Sequence, residues 1–375
     1  AASAALAGRS FGVLLLAREC AAGDSTCWSG DVTQELCCSG PQGNPDCWDA
    51  EYTFERCCGS LAGGPGEPSS EVASLRVESS SVPALPLLGG GAMPMSGVGL
   101  CCRPSAMGDA VRQAVVDYLL MGGRHLDDAK LYRNHEEVGE GLRQAVELGV
   151  PRGEVFLTTK IWPDDFGFEG ATAWVESTLK ELGVEYIDLV LLHKAGVDRS
   201  LPCGSPRACR QETWLALQRA RSVGKVRHLG VSNFGPRQMG EILALGGAPI
   251  AANQLEYHPW VPDTHRDTVQ WCHEHGIAVT AYGSMGSNGL ASQLLMQDAL
   301  KDIGGRHGKT AGQVLLRWAI QKNVSVIPGT SNPKHMAENL RLFDFELSPG
   351  EMAALDSVPK DAHMLHFGHT PDESE

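Results

Sequence analysis

The sequence has no run of 18 apolar residues, which excludes a clear membrane-spanning helix. It has no cluster of lysine and arginine, and its formal charge is -14. A surface that tracks phosphates needs clustered cations, so nucleic acid is excluded as a partner. No G-x-G-x-x-G turn follows the first strand candidate, where the chain reads GVGLCC; this argues against an open, doubly wound sheet. The first 80 residues lack lysine and histidine altogether. They hold instead seven of the 12 cysteines, eleven acidic residues and four arginines.

That composition marks a boundary. Residues 1–58 form a Cys-rich acidic segment in which CWSGDVTQELCC, from Cys27 to Cys38, is echoed by CWDAEYTFERCC, from Cys47 to Cys58. Units of this size bury too little apolar area to fold without cross-links. Disulfides are the favoured reading, and six paired cysteines allow 15 connectivities, with Cys20 left over. Zinc is the rival, although adjacent Cys-Cys pairs lack the usual ligand spacing and no histidine is at hand, so no metal site is assigned. A partly disordered leader with reactive thiols is the third reading. Residues 59–89, rich in Gly, Pro, Ser and Glu in their first part, are expected to be a flexible linker. The short apolar run in SFGVLLLAREC is the one candidate targeting segment.

From residue 90 onward the chain alternates short apolar runs with amphipathic helical patterns. SGVGLC, RHLDD, VFLTTK, IDLVLLH, VRHLGVSN, IAANQLEY, IAVTAY and VSVIPG are strand candidates. Segments such as MGDAVRQAVVDYLLMGG and GATAWVESTLKELG carry apolar residues at helical spacing and end at glycine. Eight such units over residues 90–375 predict an α/β fold, a (β/α)8 TIM barrel, with the Cys-rich segment as a small N-terminal extension.

In such a barrel the active site is built at the C-terminal ends of the strands. Read in order, those ends carry Asp127 and Asp128 with Tyr132 just beyond, then Lys160, His193, Ser232 with Asn233, Gln254, Tyr282, and finally Gly329 with Thr330. Singly, each is as well explained by packing or solvation. Together, an aspartate, a tyrosine, a lysine and a histidine at successive strand ends face one another.

HLDDAKLYRNHEEVGEGL, FLTTKIW, YIDLVLLH, GKVRHLGVSNF, NQLEYHP, AYGSMGS and VIPGTSNPKHMAENL resemble, in order and spacing, the motifs of the aldo-keto reductase family. The resemblance covers nearly all of residues 90 to 358. It implies reversible reduction of aldehydes or ketones with NADP(H); use of NAD(H) as well is expected from departures at the 2'-phosphate positions. The partner is then a small-molecule carbonyl substrate. It implies Tyr132 as general acid, Lys160 as the charge that lowers the tyrosine pKa, Asp127 as the carboxylate that holds Lys160, and His193 as the group that orients the carbonyl oxygen. Ser232, Asn233 and Gln254 are implied to bind the nicotinamide amide, Tyr282 to stack on its ring, and Trp162 to wall the substrate pocket. Glu338 and Asn339 fall at the adenine end.

Three departures stand out. Asp128 occupies a position where the family usually has Ser or Thr, and Lys194 follows His193 where an apolar or aromatic residue is usual. At the 2'-phosphate, Gly329, Thr330 and His335 stand where NADPH-preferring relatives carry lysine, serine and arginine, with Lys334 one residue away. A cofactor-sensing scaffold whose Cys-rich repeats bind a partner, and a thiol redox function for those repeats, are the competing functions. The resemblance places the barrel in the cytoplasm, whereas the Cys-rich segment suits a secretory or organellar compartment.

Overall fold

The computed structural model describes residues 70–101, 106–196, 203–286 and 297–360, all within one structural unit, Glu67–Glu375. The cysteine repeats and the possible targeting run lie outside the described residues.

Eight parallel strands form the sheet in chain order: β3 (Val98–Gly99), β4 (His125–Asp127), β5 (Phe156–Ile161), β6 (Ile187–Leu192), β7 (Val226–Ser232), β8 (Ala252–Glu256), β9 (Ala278–Tyr282) and β10 (Val324–Val326). Seven fall within the predicted runs, and β5 extends one residue beyond its run VFLTTK, to Ile161. The sheet closes on itself. Ser96 bridges Val326 in parallel, Gly97 N–H donates to the Val326 carbonyl at 2.8 Å, and Val326 N–H donates to Met95 at 2.9 Å. Gly99 permits this closure, because a Cβ there would stand 2.7 Å from the Ile327 carbonyl oxygen. The (β/α)8 barrel expected from the pattern is therefore the fold.

All six residues of β5 and all six of β6 are buried. Parallel strands covered on both faces need such continuous burial. The cover comes from helices including Gly108–Leu120, His135–Glu147, Phe168–Leu182, Pro206–Ser222 and Ala311–Gln321. Phe168–Leu182 stops where predicted, at Gly183 in the left-handed region with φ 61°.

Ahead of the barrel, β1 (Ala84–Pro86) and β2 (Ala92–Pro94) form an antiparallel hairpin with Leu85 opposite Met93. The hairpin lies beside His125 and His228, near the starts of β4 and β7: the Pro94 carbonyl is 3.3 Å from His125 Nδ1, and a Cβ at Gly91 would stand 3.2 Å from His228, so it sits at the N-terminal end of the barrel. Sequence patterning gave no sign of it. Residues 70–89, assigned to the linker by composition, contain the helix Ser70–Ser74 and strand β1, with Val72, Leu85 and Leu87 buried. A disulfide joins Cys203 to Cys209 across the start of helix Pro206–Ser222. Composition had pointed to disulfides only in the N-terminal segment.

Candidate active site

The strand ends converge on a cleft of about 240 Å³ lined by Gly99, Cys101, Asp127, Leu131, Tyr132, His193, Ser232, Asn233, Gln254, Tyr282, Gly283, Ile327 and Gly329. Seven of these 13 residues were predicted as site residues, and Gly329 was read as closing the eighth strand. Gly99, Cys101, Leu131, Gly283 and Ile327 were not singled out; of these, only Gly99 had a legible signal, as a glycine inside a strand.

Lys160 lies at the centre, fully buried behind the cleft wall. Its ammonium donates to Asp127 Oδ1 at 2.5 Å, to the Asp128 carbonyl at 3.0 Å and to the Tyr132 hydroxyl oxygen at 3.0 Å. Its three protons are thereby committed. Asp127 Oδ2 accepts from Gln254 Nε2 at 2.7 Å, so one carboxylate ties β4 to both β5 and β8. Burial alone disfavours the ammonium, but Asp127 and Tyr132 outweigh it, and the Lys160 pKa is pushed above the usual lysine value.

Tyr132 is presented by the single turn Lys130–Tyr132, which ends at Arg133 in the left-handed region with φ 57°. Because its oxygen accepts from Lys160, its own proton is left to point into the cleft. Lys160 lowers the tyrosine pKa, as the sequence led one to expect, but it does not set the net direction. Burial raises it most; Lys160 opposes this, but Asp127 and Asp128 add to the rise, and the net direction is upward. The cation therefore orients the hydroxyl and limits the rise.

Asp128 turns away from the cleft. It is fully buried, its Oδ2 lies 3.5 Å from His135 Nε2, and burial raises its pKa to about 6 despite the opposing pull of His135. His135 in turn meets Thr159 at 3.1 Å and Glu181 at 2.9 Å.

His193 follows β6 and faces Tyr132 edge-on, with ring centroids 6.0 Å apart. Trp162 packs edge-on against His193, with ring centroids 5.0 Å apart. It is not among the residues that line the cleft.

At the end of β7, Asn233 adopts φ 60°, a conformation asparagine tolerates better than most residues. Its Nδ2 donates to the His193 carbonyl at 3.0 Å and to Ser232 Oγ at 3.1 Å, and its Oδ1 accepts from the Tyr282 hydroxyl at 2.8 Å. Ser232 Oγ donates to the Gln254 carbonyl at 2.9 Å. The Gln254 side-chain oxygen accepts from no described residue. The donor set thus fits a nicotinamide: a tyrosine ring forms one wall, and an uncommitted amide oxygen stands beside a serine and an asparagine. Asn233 Oδ1, which accepts one bond from Tyr282, keeps a second lone pair for such a contact.

The remaining predicted residues lie outside the cleft. Thr330 Oγ1 accepts from Asn332 N–H at 3.0 Å, and Asn332 caps the helix Pro333–Leu340 by accepting from Lys334 N–H at 2.9 Å. Lys334 and His335 on that helix are exposed, with the Lys334 ammonium 3.9 Å from Glu71. Glu338 and Asn339 are half-buried, and their backbone carbonyls accept from Gln313 and Ser96. Among the described residues no group of three or more His, Cys, Asp or Glu could hold a metal ion, and no helix is long and apolar enough to cross a membrane.

A closed (β/α)8 barrel with a buried Asp-Lys-Tyr cluster at its C-terminal mouth defines an oxidoreductase class. Residues 88–360 match the model of the aldo/keto reductase family. The chain is 34% identical to mouse aldo-keto reductase family 1 member A1 over 288 residues, covering 72% of this chain and 86% of the relative. It is 36% identical to the 9,11-endoperoxide prostaglandin H2 reductase of Trypanosoma cruzi over 282 residues, covering 75% and 92%. Among solved structures, a Bombyx mori aldo-keto reductase in complex with NADP superposes with a TM-score of 0.69 at 32% identity, covering 79% of this chain and 95% of that one. The chain belongs to the aldo/keto reductase family. It is an enzyme that reduces aldehydes or ketones with NADP(H). The scaffold alternative gains no support from these relatives.

Proposed function

We propose that Tyr132 is the general acid of this reduction, that Lys160 and Asp127 place and orient it, and that His193 receives the carbonyl oxygen beside it. The observation that carries this reading is the Lys160 ammonium, which donates to Asp127 and Tyr132 together, at 2.5 and 3.0 Å. Ser232, Asn233 and Gln254 hold the nicotinamide amide and Tyr282 lies against its ring. Thr330, Lys334, His335, Glu338 and Asn339 serve the 2'-phosphate and adenine end. When bound, the dinucleotide supplies the hydride.

The chain's own residues manage the proton. As negative charge develops on the carbonyl oxygen, a tyrosine whose proton points into the cleft can deliver it. The phenolate left behind faces an ammonium 3.0 Å away, so its charge is stabilised where it forms. A raised tyrosine pKa keeps the hydroxyl protonated until then. Asp127, held from the other side by Gln254, keeps the lysine charged and still.

Tyr132→Phe tests this directly. It is expected to bind NADPH with a dissociation constant near that of the wild type and to lose at least about a hundredfold in turnover, the usual worth of general acid catalysis. A Tyr132→Phe enzyme with near wild-type turnover removes the assignment.

A further inference from the structure

Asp128 directly follows Asp127 at the end of β4, fully buried and outside the cleft lining. Its backbone carbonyl accepts from Lys160 at 3.0 Å, while its Oδ2 faces His135 Nε2 at 3.5 Å. The same Nε2 lies 3.1 Å from Oγ1 of Thr159, the residue before Lys160, and His135 Nδ1 lies 2.9 Å from Oε2 of Glu181. A carboxylate can only accept, so Nδ1 carries the proton of the neutral ring and Nε2 is left as an acceptor. Glu181 is 42% exposed. Asp128, His135 and Glu181 thus form a row that leads from behind the site to solvent, beside the row of Asp127, Lys160 and Tyr132.

We propose that Asp128 is a positioning residue that acts through Tyr132: by losing and regaining a proton along His135 and Glu181, it sets how readily Tyr132 gives up its own, and so weights carbonyl reduction against alcohol oxidation. This rests on the reading of Tyr132 as general acid.

Among the described residues, the charged and titratable groups that act on Asp128 are His135, Lys160 and Asp127. Those that act on Tyr132 are Lys160, Asp127 and Asp128, with the His193 ring edge-on to it. Lys160 and Asp127 hold each other as a buried ion pair. Asp128 is then the member whose charge changes near neutral pH, since burial raises its carboxyl to about 6. A carboxylate close to the tyrosine disfavours a second negative charge, so ionised Asp128 opposes the phenolate. Tyr132 gives a proton in reduction and takes one in oxidation; the Asp128 charge hinders the first and favours the second. A fully buried acid also needs a route to solvent. Protonated Asp128 can donate to His135 Nε2 as Nδ1 passes its proton to Glu181, one proton leaving the ring for each that arrives.

The test follows single turnovers of benzaldehyde with NADPH and of benzyl alcohol with NADP across pH, in full-length wild type, Asp128→Asn and Asp128→Ser. Oxidation is expected to climb with pH as Tyr132 loses its proton, and both variants should move that climb to lower pH by about half a unit to one unit. Above about pH 7 both should reduce benzaldehyde about threefold faster than wild type, and toward about pH 5, where the wild-type carboxyl is protonated, that ratio should fall to one. An unchanged climb in both variants overturns the proposal. So does a ratio that is the same at low and high pH, which would mark a packing effect without a charge. The general-acid reading fails separately, through a climb that persists in Tyr132→Phe.

Discussion

The Nε2 of His135 lies 3.5 Å from Oδ2 of Asp128, and both carboxylate oxygens of Asp128 are buried. The pair sits directly behind the site, because the Asp128 backbone carbonyl accepts from Lys160. Burial raises the Asp128 pKa to about 6, with His135 and Lys160 opposing and Asp127 adding to the rise. An acid whose pKa is higher in the folded than in the unfolded chain stabilises the fold at low pH, and that contribution is lost as pH rises through the folded value. At neutral pH the buried charge is therefore a cost on the order of 2–3 kcal/mol. Asp128→Asn is expected to raise the Tm at pH 7.5, with the gain shrinking to nothing near pH 4. Thermal unfolding across that range checks it; a variant less stable at pH 7.5 than the wild type would show that His135 fully compensates the charge.

Lys160 and Asp127 are a buried ion pair in which each partner also holds another element of the site. Removing one partner leaves an uncompensated charge, which costs about 3–5 kcal/mol. Lys160→Met alone should lose about that much stability in denaturant titration. Asp127→Asn combined with Lys160→Met should recover most of it without recovering turnover. Recovery of activity in the double variant would mean that the ion pair serves the fold and not the chemistry.

Lys334 is exposed and stands 3.9 Å from Glu71, while Gly329 and His335 occupy places where NADPH-preferring relatives carry cations. Charge-assisted bonds to phosphate are strong polar contacts, so their loss should leave a preference for NADPH over NADH below about a hundredfold. Fluorescence titration of both dinucleotides measures it, and Lys334→Met should lower the ratio further. A preference of about a thousandfold or more in the wild type would point to a further cation at the 2'-phosphate.

Val72, Leu85 and Leu87 are buried although they precede the predicted start of the barrel. A fragment covering residues 67–375 is therefore expected to fold and bind NADPH. A fragment beginning at residue 90 removes three core side chains worth about 1.5–3 kcal/mol each, so it should be markedly less stable or insoluble. Equal Tm values for the two fragments would show that the hairpin and the Ser70–Ser74 helix are dispensable.

Much of this site was written in one dimension. Parallel strands buried on both faces require continuous apolar runs, and the residue closing each run is the one the barrel presents at its mouth; this made Asp127, Lys160, His193, Ser232 and Tyr282 legible by position alone. The sequence could not say which way the balance at Tyr132 would tip, because burial, one cation and two carboxylates act on it at once and only their distances rank them. Nor could it show that Trp162 meets His193 edge-on, that Asn233 accepts a bond from Tyr282, or that residues 84–94 fold back over the barrel's far end. Those outcomes depend on contacts between residues distant in the chain, such as Tyr282 with Asn233 or Gly97 with Val326. Local periodicity determines which faces are buried; the closing of the barrel determines which groups meet.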